Sequence, residues 1–305
     1  MSPNEISRLW NRAQEHLDQR RFRRSAWYSA DAVCRDPGVF VLGCGRSGTT
    51  LVREMLCRHG ALGGGPETLF FVKTLDLKYL SVISDIPLAE LEALRTRSEH
   101  VVRFAEAYYR RMAEREGKRR WIDKTPMHVR ALPRLLASFP EARVVHVIRD
   151  GRDVACSLRN HPRQRVHRGG IVPNRVDRPI ALCAQRWLRD TGMGRVYAGH
   201  PRLTELRYEQ LVADPEREMR RLLEFLGEPW ESGVLEPGTE AGGRSGVLMN
   251  NANAVAPISG AATGRWRRDL SAAERHSFDR VAGDLLIALG YAEDRGWVDD
   301  PPIVQ

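Results

Sequence analysis

The residues Val39-Phe40-Val41-Leu42 form a short continuous apolar run that leads directly into Gly43-Cys44-Gly45-Arg46-Ser47-Gly48. A run of this kind reads as a strand buried on both faces. Behind the glycines, Thr49-Thr50-Leu51-Val52-Arg53-Glu54-Met55-Leu56 carries its apolar residues at helical spacing. Strand, glycine turn and helix in succession constrain this chain more than any other feature, because such a turn aims backbone N–H groups and the positive helix end at one point. Gly43 and Gly48 occupy the glycine positions of G-x-x-x-x-G-K-[ST], but Thr49 stands where a nucleotide-triphosphate loop needs Lys. Thr49 and Thr50 offer hydroxyls and Arg46 a cation from within the loop. The turn therefore suits a phosphate without being built for ATP and magnesium; on the glycine pattern alone, a turn with no ligand is an equal alternative.

The rest of the chain repeats the theme. Trp121-Ile122-Asp123, Val144-Val145-His146-Val147-Ile148 and Arg202-Leu203-Thr204-Glu205-Leu206 read as strands. Helical patterns cover Leu88 to Glu116, Met127 to Phe139, Pro179 to Tyr197, Glu216 to Leu226 and Ser271 to Leu289, the last opened by a Ser271/Glu274 capping box. Strands alternating with helices predict an α/β fold with a parallel sheet. His161 to Arg178 reads as a surface loop, and Gly238 to Gly264 as an irregular segment. Residues 1–37 read as an N-terminal helical extension and 38–305 as the main domain.

Composition narrows the class less than it first promises. The 305 residues include 48 Lys+Arg against 39 Asp+Glu, a formal charge of +9, with 42% hydrophobic and 29% charged residues. These values exclude a disordered or membrane-spanning chain. The positive excess permits nucleic acid, an acidic membrane or a phosphorylated small molecule and selects none of them. Only four residues are lysine (Lys73, Lys78, Lys118 and Lys124), so a lysine beside a motif stands out. The five cysteines are scattered, odd in number and without C-x-x-C, which argues against a disulfide framework and a zinc site. With no apolar signal segment at Met1-Ser2-Pro3-Asn4-Glu5, the expected location is the cytoplasm.

The string Arg46-Ser47-Gly48-Thr49-Thr50 behind an apolar strand resembles the 5′-phosphosulfate loop of sulfotransferases that use 3′-phosphoadenosine 5′-phosphosulfate (PAPS). About a hundred residues further on, Arg149 ends a strand and Ser157 follows eight residues later. That pair is similar to the arginine and serine with which the same family holds the 3′-phosphate. The chemistry is sensible, since an Arg fork suits an anion and Ser157 lies about two helical turns on. The resemblance implies a P-loop-like, three-layer α/β/α fold, PAPS as co-substrate and no obligatory metal. It continues at Arg207-Tyr208-Glu209-Gln210-Leu211 and at Thr263-Gly264-Arg265-Trp266, implying that Tyr208, Arg265 and Trp266 belong to the nucleotide site.

Moving a sulfuryl group requires a base for the acceptor hydroxyl, stabilisation of the leaving oxygen and in-line placement. Lys124, in Asp123-Lys124-Thr125-Pro126, is the expected cation at the bridging oxygen. In the phenol and hydroxysteroid enzymes a histidine follows the corresponding Lys-Thr, but here Pro126 does. Gly65-Pro66-Glu67-Thr68 instead resembles the Gly-Glu-Glu-Thr segment of tyrosylprotein sulfotransferases, which puts the base on Glu67, with His128 as second choice in an expected capping or surface position. Those enzymes carry a lysine before a later proline, where this chain has Ala256-Pro257. That departure leaves the substrate of the tyrosylprotein pattern open; with no membrane anchor in the sequence, the expected acceptor is a small-molecule hydroxyl more than a protein tyrosine, a tyrosyl peptide and a glycolipid staying open, with neither nucleic acid nor a membrane span involved. A P-loop-like kinase and a non-catalytic anion or nucleic-acid binder are the competing readings; Thr49 counts against the first.

Overall fold

The computed structural model describes residues 25–29, 31–167, 170–174, 176–236 and 260–300. Its strands are β1 (Val39–Gly43), β2 (Leu62–Gly64), β3 (Arg120–Lys124), β4 (Arg143–Ile148), β5 (Arg163–His167), β6 (Gly170–Asn174) and β7 (Leu203–Arg207). Five of them form one all-parallel sheet in the order β2-β3-β1-β4-β7. Besides the single turn Ala26–Ser29, the helices are α1 (Thr49–Cys57), α2 (Leu77–Ser84), α3 (Leu88–Arg97), α4 (Val101–Arg115), α5 (Leu132–Ser138), α6 (Gly151–Arg159), α7 (Ile180–Arg195), α8 (Tyr208–Ala213), α9 (Pro215–Leu226), α10 (Trp266–Asp269) and α11 (Ala272–Ala288).

Strand alternation divides the core. Phe40, Leu42, Trp121 and Val144 point to one face and pack with Phe104, Tyr108 and Leu135 of α4 and α5. Val39, Val41, Ile122, Val145 and Val147 point to the other, against Val52, Met55 and Leu222 of α1 and α9. A third cluster joins Val154, Trp187 and Phe278 of α6, α7 and α11. Both faces of the sheet are covered, which is why the central strand β1 is continuously apolar and why the fold is the expected three-layer α/β/α. Phe40 is 1% exposed and meets Tyr109, Trp121 and Phe139 edge to face; truncating it to Ala would cost about 3–5 kcal/mol. Chain-adjacent strands β1 and β2 are separated by β3, while β4 lies on the opposite side of β1. The order thus reverses at β1, and the crevice beyond its carboxyl end is where an open α/β sheet binds ligands.

Several boundaries differ from the sequence reading. Gly63 and Gly64 belong to an edge strand, because a Cβ on Gly64 would overlap the Ile122 carbonyl and only glycine lets β2 pair so closely with β3. The stretch Leu88 to Glu116 is two helices, with His100 capping α4 by accepting the Arg103 N–H. Met127 to Phe139 begins as a 3-10 helix, Pro126–Ala131, before α5. The expected surface loop between His161 and Arg178 contains the antiparallel hairpin β5–β6. The Ser271/Glu274 capping box is present at α11. Of the N-terminal extension, residues 1–24 lie outside the described residues, but Trp27 is buried in the core and donates its indole N–H to Ser98 O at 2.9 Å. Most of the segment expected to be irregular, residues 237–259, also lies outside them.

Candidate active site

The loop after β1 closes through two glycine-specific positions. Gly43 has φ +145° and a Cβ there would strike the Val147 carbonyl of β4; Gly48 has φ +95° and a Cβ there would sit 2.5 Å from the Tyr208 ring. Gly48 is the residue from which α1 departs, and Arg46, with φ +76°, holds the left-handed conformation within the turn. A non-glycine residue in that region is strained, and such strain is tolerated where neighbouring structure enforces it. Here the Arg46 Nε donates to Ser157 Oγ at 3.0 Å, and the Arg46 carbonyl accepts from the Arg149 guanidinium at 3.2 Å. The first motif is thus fastened to the second, at the ends of adjacent strands β1 and β4.

Cations converge on this point. The Arg149 guanidinium stacks 4.3 Å from the centroid of Tyr208, lies 4.0 Å from Asp153 and donates to the Ala262 carbonyl. Burial and then the charge of Arg149 pull the Arg46 pKa down, with Arg265 adding to the effect and Glu67 opposing it. Two buried polar atoms at the same place, Ser47 Oγ and Arg149 Nε, have no hydrogen-bond partner among the described residues. Unpaired buried donors beside mutually repelling guanidiniums are costly unless an anion completes them.

Lys124, at the end of β3, reaches across the α1 side of the sheet. It is 1% exposed; its Nζ donates to Glu67 Oε1 at 2.7 Å and to Thr50 Oγ1 at 3.2 Å. The Glu67 side chain is 42% exposed, so one partner is buried and the other faces the opening. The alternation of β3 sends Asp123 and Thr125 the opposite way. There Asp123 Oδ2 meets His128 Nδ1 at 2.6 Å, and its Oδ1 accepts from Thr125 Oγ1 at 2.9 Å and Thr68 Oγ1 at 3.3 Å. His128 is fully buried, contrary to the capping or surface position expected for it, because Pro126 starts a 3-10 turn that folds the ring under β3.

Other residues sort differently. Arg265 pairs with Asp269 at 2.5 Å and remains over a third exposed. The Trp266 ring is core: it is 1% exposed, lies against Trp297 and has the Arg152 guanidinium 3.9 Å from its centroid. The backbone of this segment meets the second motif instead, through Asp153, which accepts the Gly264 N–H at 2.8 Å and the Trp266 N–H at 3.0 Å. Burial, followed by the charge of Asp150, pushes the Asp153 carboxyl up to about 6. Glu209 plays a similar part, accepting from Asp150 N–H and from the Tyr291 hydroxyl, both at 2.9 Å. Sequence reasoning missed Asp153, Glu209 and also Arg186, whose guanidinium would lie 3.0 Å from a Cβ on Gly45. The only sequence signal for Arg186 is Asp190 one helical turn on, 3.6 Å away.

A parallel α/β sheet with a glycine turn feeding a helix N-terminus at its switch point presents a place suited to an anionic ligand. A family described as the sulfotransferase family matches residues 37–232, and the chain belongs to it. It is 26% identical over 264 residues to protein-tyrosine sulfotransferase 1 of Danio rerio, covering 84% of this chain and 72% of that one. It is 31% identical over 214 residues to an uncharacterized protein of Aquifex aeolicus, of whose length it spans only 26%. Among solved structures it resembles the sulfotransferase domain of the Synechococcus PCC 7002 olefin synthase, with a TM-score of 0.61 and 22% identity over 86% of this chain and 98% of that one. It also resembles mouse sulfotransferase SULT7A1 complexed with PAP, with a TM-score of 0.51 and 13% identity over 90% of this chain and 95% of that one.

Proposed function

We propose that this protein transfers a sulfuryl group from PAPS to a hydroxyl acceptor. The observation that carries the reading is that two buried donors without a hydrogen-bond partner among the described residues, Ser47 Oγ and Arg149 Nε, lie where two strand-end motifs bring the guanidiniums of Arg46 and Arg149 together. The 46–50 loop (Arg46, Ser47, Gly48, Thr49 and Thr50) holds the 5′-phosphosulfate. Arg149 and Ser157 hold the 3′-phosphate, Tyr208 backs Arg149 and Gly48, and Arg265 contributes charge at the rim. The PAP in the similar mouse structure supports this choice of nucleotide.

In the transfer step Glu67 accepts the proton of the acceptor hydroxyl as the new oxygen–sulfur bond forms. The bond from sulfur to the bridging oxygen breaks, and the 5′-phosphate of PAP leaves with the electron pair. Lys124, desolvated beside Thr50, stabilises the charge that develops there. No step assigned to the protein's residues calls for a metal. The acceptor we favour is a small-molecule hydroxyl, because Ala256 stands where the tyrosylprotein enzymes carry lysine. The five free cysteines fit a reducing, cytoplasmic setting, and no helix among the described residues is long and apolar enough to cross a membrane.

Calorimetric titration with 3′,5′-ADP and with ATP plus magnesium tests the nucleotide assignment. Tight binding of 3′,5′-ADP is expected; tight binding of ATP-magnesium with none of 3′,5′-ADP would sink it. A screen with radiolabelled PAPS against phenols, alcohols, glycolipids and tyrosyl peptides then identifies the acceptor, and label on tyrosyl peptides alone would overturn the small-molecule assignment.

A further inference from the structure

We infer that Asp123 and Thr125 are positioning residues that set Glu67 over Lys124, through a buried hydrogen-bond network on the far side of β3. The inference rests on Glu67 being the base, and it concerns how the base is held.

Glu67 lies on the segment between β2 and α2, which has no regular structure of its own at that point. Its side chain is substantially exposed, and among the described residues its hydrogen-bond partner is Lys124. The fastening is one residue away. Thr68 donates its backbone N–H to Thr125 Oγ1 at 3.0 Å, and its hydroxyl contacts Asp123 Oδ1 at 3.3 Å and the Tyr109 hydroxyl at 3.2 Å. Thr125 Oγ1 in turn donates to Asp123 Oδ1 at 2.9 Å. Further along the segment, the Phe71 N–H donates to His128 Nε2 at 3.4 Å, which leaves the Nδ1 proton to face Asp123 Oδ2 at 2.6 Å. Both carboxylate oxygens of Asp123 are therefore engaged, one directly with the Glu67 segment and the other through His128.

The period of a strand makes this a positioning device rather than a general support. Asp123, Lys124 and Thr125 are consecutive, so the first and third point to one side of the sheet while Lys124 points to the other. The residues that hold the Glu67 backbone and the residue that its carboxylate meets thus share one rigid stretch of backbone. A displacement of about 1 Å between a base and its target costs on the order of 100-fold in rate. Burial of Asp123, Thr125 and His128, at 2%, 0% and 0% exposed, strengthens each bond in the network and makes loss of one partner costly to the others.

The test compares Thr125→Val, which keeps the shape and removes the hydroxyl, with Thr125→Ser, which restores it. Two readouts are taken on the full chain. The first is the rate at which a lysine-acylating reagent labels Lys124, followed by peptide mass spectrometry, with Lys73, Lys78 and Lys118 as internal controls. The second is sulfuryl transfer from PAPS, including the slow hydrolysis in which water replaces the acceptor, alongside 3′,5′-ADP affinity. Thr125→Val is expected to raise Lys124 labelling about tenfold, the effect of losing one buried hydrogen bond. Its kcat should fall about 10- to 100-fold with the KM for PAPS and the 3′,5′-ADP affinity within about twofold of the unsubstituted protein. Thr125→Ser should recover most of both. Unchanged Lys124 labelling in Thr125→Val, or a parallel rise at all four lysines, would overturn the inference. Failure of the unsubstituted protein to bind 3′,5′-ADP would count against the nucleotide assignment, and the labelling result would still decide the positioning role.

Discussion

The ammonium of Lys124 and the carboxylate of Glu67 are in contact at 2.7 Å, though 57 residues separate them in the chain. One comes from the end of a central strand and the other from the segment behind an edge strand, and they meet beside Thr50 at the start of α1. The proposed proton acceptor and the proposed leaving-group cation are thereby held within one hydrogen bond of each other before any substrate arrives. Donor binding should draw Lys124 toward the phosphosulfate and release Glu67 to receive a proton.

Removing the carboxylate separates these roles. Glu67→Ala is expected to lower kcat by about 10²- to 10⁴-fold, the usual share of a positioned general base, while 3′,5′-ADP affinity stays close to that of the unsubstituted protein. Steady-state rates combined with calorimetry give both numbers. A matching loss of nucleotide affinity would move Glu67 from the chemistry to the nucleotide site.

Arg149 holds its geometry through a planar fork that reaches the Arg46 and Ala262 carbonyls while stacking on Tyr208. Lysine preserves the charge but neither the fork nor the stacking. Arg149→Lys should therefore weaken 3′,5′-ADP binding about 10- to 100-fold, and 5′-AMP binding much less. Equal losses for the two nucleotides would show that Arg149 does not read the 3′-phosphate.

Gly48 has no substitute that fits. Alanine there must adopt φ +95° and push its Cβ into the Tyr208 ring. The left-handed conformation alone costs about 1–2 kcal/mol, so Gly48→Ala should lower the thermal midpoint by several degrees and abolish measurable 3′,5′-ADP binding. Thermal unfolding with titration checks it, and a variant that still bound the nucleotide as tightly would show that the loop tolerates displacement.

Asp153 supplies a pH dependence. Its carboxyl is pushed up to about 6 in the folded protein, above the ordinary range near 4. The folded state therefore binds this proton more tightly than the unfolded chain. The associated stability is fully present below about pH 4 and is lost as pH rises through about 6, a change on the order of 3 kcal/mol. Asp153→Asn should flatten the stability profile between those limits. It should also weaken the attachment of the 264–266 backbone at every pH, because the amide can no longer accept from both the Gly264 and Trp266 N–H groups. Denaturant unfolding at stepped pH measures both effects, and an unchanged slope in the variant would assign the titration elsewhere.

The local features of this protein were legible because their causes are local. A buried strand needs a run such as Val39 to Leu42, a phosphate turn needs glycine where φ is positive, and a capping box needs Ser271 and Glu274 three residues apart. Strands alternating with helices sufficed for a parallel α/β sheet, and the resemblance of its motifs for the three layers. What resisted reading was decided by distance in the chain. Gly63 and Gly64 carry no strand signal, because β2 exists only where β3 offers an edge close enough for glycine alone. Trp266 reads like a site residue, yet its ring is drawn into a core built from α6, α7 and α11. His128 carries the same imidazole wherever it lies, and only the turn beneath β3 seals it against Asp123.

The sequence by itself determined the strand, glycine turn and helix that open the domain, since each follows from neighbouring residues. The tertiary structure decided that Glu67 and Lys124 touch and what holds them there. That contact depends on strand order and on the alternation of side chains across β3, which turns Lys124 toward Glu67 and buries Asp123 and Thr125 behind it.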